Sequence, residues 1–153
     1  MRLFITLLLF GITSTLFAQS IEDKAQHINT ENGVAIQGYD PVAYFSNEAL
    51  KGKEQYSANH SGVTYYFASE ENKTSFLQNP SKYEPQYGGW CAFAIGDYGK
   101  KVEINPETFK VVDGKLYLFY NANFTNTLKS WNKNEKQLKA KANKNWSEIV
   151  NEK

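Results

Sequence analysis

Apolar and polar positions divide the chain into a few blocks. "MRLFITLLLFGITSTLFA" is apolar after one basic residue, Arg2, and has small residues near its end, and polar "QSIEDKAQ" follows at once. This is the pattern of a secretory signal peptide, and it predicts cleavage after Ala18. The apolar run is shorter than the roughly 18 to 20 residues that span a bilayer, so no membrane helix is expected to remain after export. No later segment is apolar enough to span. Residues 19–32 are polar and read as a loosely held arm. "GVAIQGYDPVAYF" is strand-like but is interrupted by Gly38 and by the turn-forming Asp40-Pro41 pair. Alternation resumes in "QYSANHSGVTYYFAS", which predicts two strands around a turn at His60-Ser61-Gly62. Ser69, followed by Glu70 and Glu71, supplies an N-cap and an acidic first turn. A helix over 70–78 is therefore predicted, with Phe76 and Leu77 facing inward and Asn79-Pro80 closing it.

Past Gly88-Gly89, "WCAFAI" reads as a strand that would send Cys91, Phe93 and Ile95 to one side. "INPETF" looks like a turn or one helical turn. "KVVDGKLYLFYN" is the clearest hairpin, folded about Asp113-Gly114. Leu128, Trp131, Leu138, Ala142, Trp146, Ile149 and Val150 then recur at three- and four-residue intervals, the spacing of one helix face. Asn134 with Gln137 resembles a second cap, which predicts two helices broken near 132–134. The expected architecture is α+β, with one domain over 33–153 built from small antiparallel hairpins, a short helix and a C-terminal helical segment.

Length and charge narrow the function. After the signal, residues 19–153 make one domain of ordinary size, able to bury about two-thirds of its unfolded surface in one core. They carry sixteen lysines against sixteen carboxylates and no arginine. Without the guanidinium fork or a net positive field, a nucleic-acid partner is not expected. Residues 124–153 are basic, with seven lysines and three acids, but the lysines are interleaved with Asn, Gln and Glu, which favours a solvated helix face over a lipid or acidic-partner site. The single cysteine excludes an intrachain disulfide, although the predicted destination is oxidising.

In "GYDPVAYF", "GVTYYFASEENKTSFLQNPSKYEPQYGGWCAF" and "VDGKLYLFYN" the chain resembles the YHS-domain family, in particular its small exported members. The resemblance covers nearly all of the chain after the signal. It implies a small module derived from a metal site. Metal-binding relatives look like Asp-Pro-Val-Cys and Tyr-Phe-Cys-Ser-x-x-x-Cys, whereas this chain reads Asp40-Pro41-Val42-Ala43, then Tyr66-Phe67-Ala68-Ser69 running on to Asn72. A soft metal needs thiolate or imidazole ligands, and Ala43, Ala68 and Asn72 supply none.

Function then rests on other residues. Cys91 has three open readings: a buried small hydrophobe, a metal- or adduct-forming thiol, or a catalytic thiol. His60, at the predicted hairpin turn, is accessible and is the candidate second ligand to Cys91 for a soft metal such as copper. His27 in the arm is a weaker third. Tyr39, Tyr44, Tyr83 and Tyr87 flank turns and glycines, where rings can wall a small-ligand pocket. The chain has no H-x-x-x-H zinc pair, phosphate loop or dinucleotide fingerprint. The expectation is an exported, non-catalytic binding module of the periplasm or cell envelope, handling a metal ion or small ligand. The alternatives are a thiol-dependent enzyme or redox protein using Cys91, with His60 as base, and a structural domain that docks a partner through its basic helices.

Overall fold

The computed structural model describes residues 25–152. The signal-peptide reading and the start of the polar arm lie outside them. Two hairpins carry the architecture. Strands β3 (Lys53–His60) and β4 (Val63–Phe67) meet through Ser61-Gly62, whose φ angles are 52° and 80°. Strands β5 (Asn105–Val112) and β6 (Lys115–Phe119) meet through Asp113-Gly114, at 53° and 67°. Two consecutive positive φ angles match the right-handed twist of flanking strands, so each pair closes a two-residue hairpin, with His60 opposite Val63 and Val112 opposite Lys115.

The short strands β1 (Thr30–Glu31) and β2 (Val34–Ala35) extend the first hairpin into a sheet of order β1-β2-β4-β3. Here β2 runs parallel to β4, with Val34 beside Thr64, an exception to the otherwise antiparallel pairing. A small hairpin of β7 (Asn121–Ala122) and β8 (Thr125–Asn126) follows the second sheet. The helices are α1 (Glu70–Gln78), α2 (Pro80–Tyr83), α3 (Ala92–Tyr98), α4 (Thr127–Lys133) and α5 (Glu135–Asn151). The fold is α+β, and none of its described helices is long and apolar enough to cross a membrane.

Several local expectations need correction. "WCAFAI" is helical, not a strand: Cys91 is the N-cap of α3, Ile95 N–H donates to Cys91 O at 3.0 Å, and left-handed Gly99 ends the helix. The reason is burial on both sides. Cys91 and Ala94 join one core, with Tyr44, Phe67 and Phe76, while Ala92 and Ile95 join a second, with Phe119 and Trp131. An apolar run buried all round loses the periodicity that separates helix from strand. Strand β6 divides the cores in the same way, sending Leu116 and Leu118 to the first and Tyr117 and Phe119 to the second.

"INPETF" is mostly strand, since β5 begins at Asn105. "GVAIQGYDPVAYF" is mainly turns and short 3-10 segments, with only Val34–Ala35 in a strand. In α1 Ser69 caps as expected, by accepting from Asn72 N–H at 3.2 Å, and Phe76 is fully buried, but Leu77 faces solvent. The break at Asn134 is present without a side-chain cap, and Val150 at the far end of that helix is exposed. The described part of the polar arm is tied in, since Asn29 is buried and donates through its backbone to Gly88 O at 2.8 Å.

Candidate functional site

Cys91 is fully buried and its thiol is satisfied. Tyr120 N–H donates to Sγ at 3.3 Å, and Sγ lies 3.4 Å from Thr127 Oγ1. Thr127 spends its one hydroxyl proton on Tyr120 O at 2.8 Å, so in the remaining contact the thiol donates. Cys91 thereby links the start of α3 to the end of β6 and the start of α4. His60 has other partners: its Nε2 sits 3.6 Å from Glu84 Oε1 and its ring packs edge-on against Phe76. Among the described residues the two candidate metal ligands share no hydrogen-bond or ion-pair partner. Among the described residues no group of three or more His, Cys, Asp or Glu side chains is placed to hold a metal ion.

Ala43, Ala68 and Asn72, the positions compared above with cysteine ligands, converge on a carboxylate. Asp40 is fully buried. Its Oδ1 accepts from Val42 N–H at 2.8 Å and Ala43 N–H at 3.3 Å, and its Oδ2 accepts from Ala68 N–H at 2.8 Å and Asn72 Nδ2 at 2.6 Å. Four donors replace the water that a buried carboxylate gives up. The corner does not fit a soft metal: two positions end in methyl groups, and the third spends its amide on Asp40. The sequence showed Asp40 only as half of a turn signal. Its position between apolar neighbours was the available hint of burial.

The four tyrosines separate. Tyr44 is buried, donates to Pro106 O at 2.8 Å, and burial holds its phenol well above the ordinary range. Tyr39 donates to Glu107 Oε1 at 3.3 Å, and Tyr83 packs edge-on against Phe45. Tyr87 alone of the four lines a cleft of ≈ 570 Å³.

The cleft lies between residues 84–88, the start of the described chain and α5. Trp146 of α5 is one of its walls. Its ring centroid is 6.3 Å from Tyr87 at an interplanar angle of 67°, and 6.3 Å from His27 at 83°. Tyr87 is fixed from behind, because its hydroxyl donates to Asn143 Oδ1 at 2.9 Å. Burial first, then the nearby Tyr117 hydroxyl, raises its phenol pKa. Tyr65 of β4 adds a fourth ring, its phenol raised by burial and then by the charge of Glu84. Gly88 has to be glycine here: at φ 60° a Cβ would lie 2.5 Å from His27 O and 3.0 Å from Trp146 Cη2.

Polar groups stand among these rings. Glu84 lines the cleft and leans on His60, and Lys101 Nζ lies 3.2 Å from His27 Nδ1. An ammonium can only donate, so Nδ1 accepts and the proton of His27 sits on Nε2. Sequence reasoning missed Tyr65, Glu84, Asn143 and Trp146 as site residues. Tyr87-Gly88-Gly89 was the local signal for a close approach, but Trp146 has the spacing of an ordinary core residue. Compared with known proteins, the chain matches no family model, no curated protein and no solved structure.

Proposed function

We propose that the protein is an exported, non-catalytic binding module of YHS-like type whose ligand is a small molecule held in the cleft between residues 84–88 and α5. One observation carries the reading. A concavity of ≈ 570 Å³ with aromatic walls and a few polar side chains has the size and chemistry of small-molecule sites, which span roughly 300 to 1,000 Å³.

Thiol chemistry has less support. A catalytic thiol needs access and a base, whereas Cys91 is sealed, with Thr127 Oγ1 3.4 Å from its Sγ. In the cleft, the Ser81 hydroxyl is likewise committed, to Asn79 Oδ1 at 3.0 Å. Partner docking through the basic helices is also weakened, because Lys139 and Lys144 pair within the chain, with Asp113 at 3.0 Å and Glu148 at 3.8 Å.

The test combines native mass spectrometry of protein purified from its own source with a thermal-shift panel of small organic cations, neutral aromatics and anions. The expected result is a non-covalent adduct, or a compound that raises Tm, lost in Trp146→Ala while circular dichroism shows that variant folded. Absence of any adduct, together with a panel that leaves the wild-type Tm unmoved, overturns the reading.

A further inference from the structure

A second concavity, of ≈ 360 Å³, opens over the first sheet and shares no lining residue with the cleft. We infer that it binds a neutral sugar, one pyranose unit laid on the Tyr66 ring and hydrogen-bonded by the side chains of Glu31, Asn32, Lys51 and Glu54. This site is independent of the cleft and adds a second ligand to the protein.

Backbone shape is the first support. Gln37 and Gly38 line the hollow, and with Ile36 before them they have consecutive φ angles of 53°, 52° and 79°. Side chains, β-branched ones above all, rarely adopt this left-handed conformation. It persists only where the surroundings over-determine it, and it gathers at binding sites. Here the surroundings do so: Ile36 is buried in the first core, Gln37 Nε2 donates to Ile104 O at 3.1 Å, and Gly38 O accepts from Gly52 N–H at 2.8 Å. The bend brings bare backbone against one ring-bearing residue, since a Cβ on Gly52 would lie 2.6 Å from Tyr66 Cβ. Across the hollow, the pairing of β3 with β4 shifts register between Lys53 and Ser57, the stretch that holds Glu54. Such bulges re-aim side chains beside sites.

Chemistry is the second support. Tyr66 stands on the outward face of β4, between buried Tyr65 and Phe67, and is the one aromatic residue lining the hollow. Glu31 and Glu54 supply carboxylate acceptors, and the Asn32 amide both donates and accepts. Among the described residues these three side chains have no hydrogen-bond or ion-pair partner. Lys51 lies over the Tyr39 ring at 5.1 Å, a contact with the ring face that leaves its N–H groups able to donate. An anion here would face two carboxylates, and a simple cation would face Lys51. A neutral polyol avoids both conflicts. Its hydroxyls donate to the carboxylates and accept from Lys51 and Asn32, in bonds strengthened by the charged partner. The apolar C–H face of a pyranose covers the Tyr66 ring, whose face carries the negative side of its quadrupole. A volume of ≈ 360 Å³ stands at the lower end of small-molecule sites, roughly 300 to 1,000 Å³, as a single sugar unit requires.

The test is saturation-transfer NMR and calorimetric titration of the full protein with the methyl glycosides of glucose, galactose, mannose and N-acetylglucosamine, and with glycine betaine and serine as zwitterionic controls. At least one glycoside is expected to bind in the millimolar range and the controls are not. Tyr66→Ala should weaken that glycoside at least about tenfold, while Tyr66→Phe keeps the platform and most of the affinity. Glu31→Gln and Glu54→Gln, at exposed positions where the fold is not at stake, should each weaken it severalfold by replacing a charged acceptor with a neutral one. Trp146→Ala in the cleft should leave it unchanged. Absence of saturation transfer from every glycoside at about 50 mM overturns the sugar inference, as does preference for the zwitterions. Glycoside binding lost in Trp146→Ala but kept in Glu31→Gln and Glu54→Gln also overturns it, and assigns the sugar to the cleft instead.

Discussion

Two buried polar side chains show how single residues are held in this fold. Asp40 is sealed by four N–H donors drawn from its own turn, the residue after β4 and α1. Cys91 is sealed by one donor and one acceptor from the end of β6 and the start of α4. A polar atom so enclosed is stabilising only while its partners remain, and a buried group stripped of its partner costs about 1–3 kcal/mol. Cys91→Ala is therefore expected to destabilise by about that much, because Tyr120 N–H loses its acceptor. Urea unfolding measures the loss. In the native wild type, iodoacetamide should leave the thiol intact, and in denaturant it should alkylate it fully. Native labelling as fast as denatured labelling would show that Cys91 is reached from solvent.

At the scale of elements, the contact between α3 and α5 decides where Trp146 stands. Gly96 of α3 lies against the backbone of α5: a Cβ there would sit 2.7 Å from Leu138 O and 3.5 Å from the Ala142 methyl. Two effects compete in Gly96→Ala. Helix propensity favours alanine by about 1 kcal/mol, while overpacking costs about 1–3 kcal/mol. The obstructing atom is a backbone carbonyl that cannot rotate away, so the cost should win. The variant is expected to unfold at lower urea, and its near-ultraviolet circular dichroism should change as α5 shifts and carries Trp146 away from Tyr87. A gain in stability would show that the two helices part at no cost.

Across the whole molecule, both cores contain tyrosines that burial keeps from ionising. Tyr44 and Tyr65 belong to the first core and Tyr87 to the second, and all three have their phenols raised above 10.0. The sign follows from linkage: above pH 10 the unfolded chain loses phenolic protons that the folded chain keeps, so unfolding is favoured. This contribution is complete below the unfolded value and is lost as pH rises towards the folded ones. Each phenol adds a slope of up to about 1.4 kcal/mol per pH unit. Urea midpoints should be level on approaching pH 10 and fall steeply above it, with tyrosinate absorbance appearing together with unfolding. Tyrosinate that appears in still-folded protein would place these rings in contact with solvent.

Features set by neighbours in sequence were legible from the sequence alone. The Ser69 cap, the Ser61-Gly62 and Asp113-Gly114 turns and the helix break near Asn134 depend on φ preferences and hydrogen bonds over a few residues, and each lies where it was expected. That Ala43, Ala68 and Asn72 carry no thiolate is likewise a matter of residue type. The tertiary structure alone decided that "WCAFAI" is a helix between two cores, because burial on both sides erases the period. It also decided that residues as far apart as Asp40 and Asn72 close one corner, and that Tyr87, Trp146 and His27 wall one cleft. Such convergence rests on how elements pack across the chain, and at Trp146 the side that packs and the side that faces an opening have the same spacing in sequence.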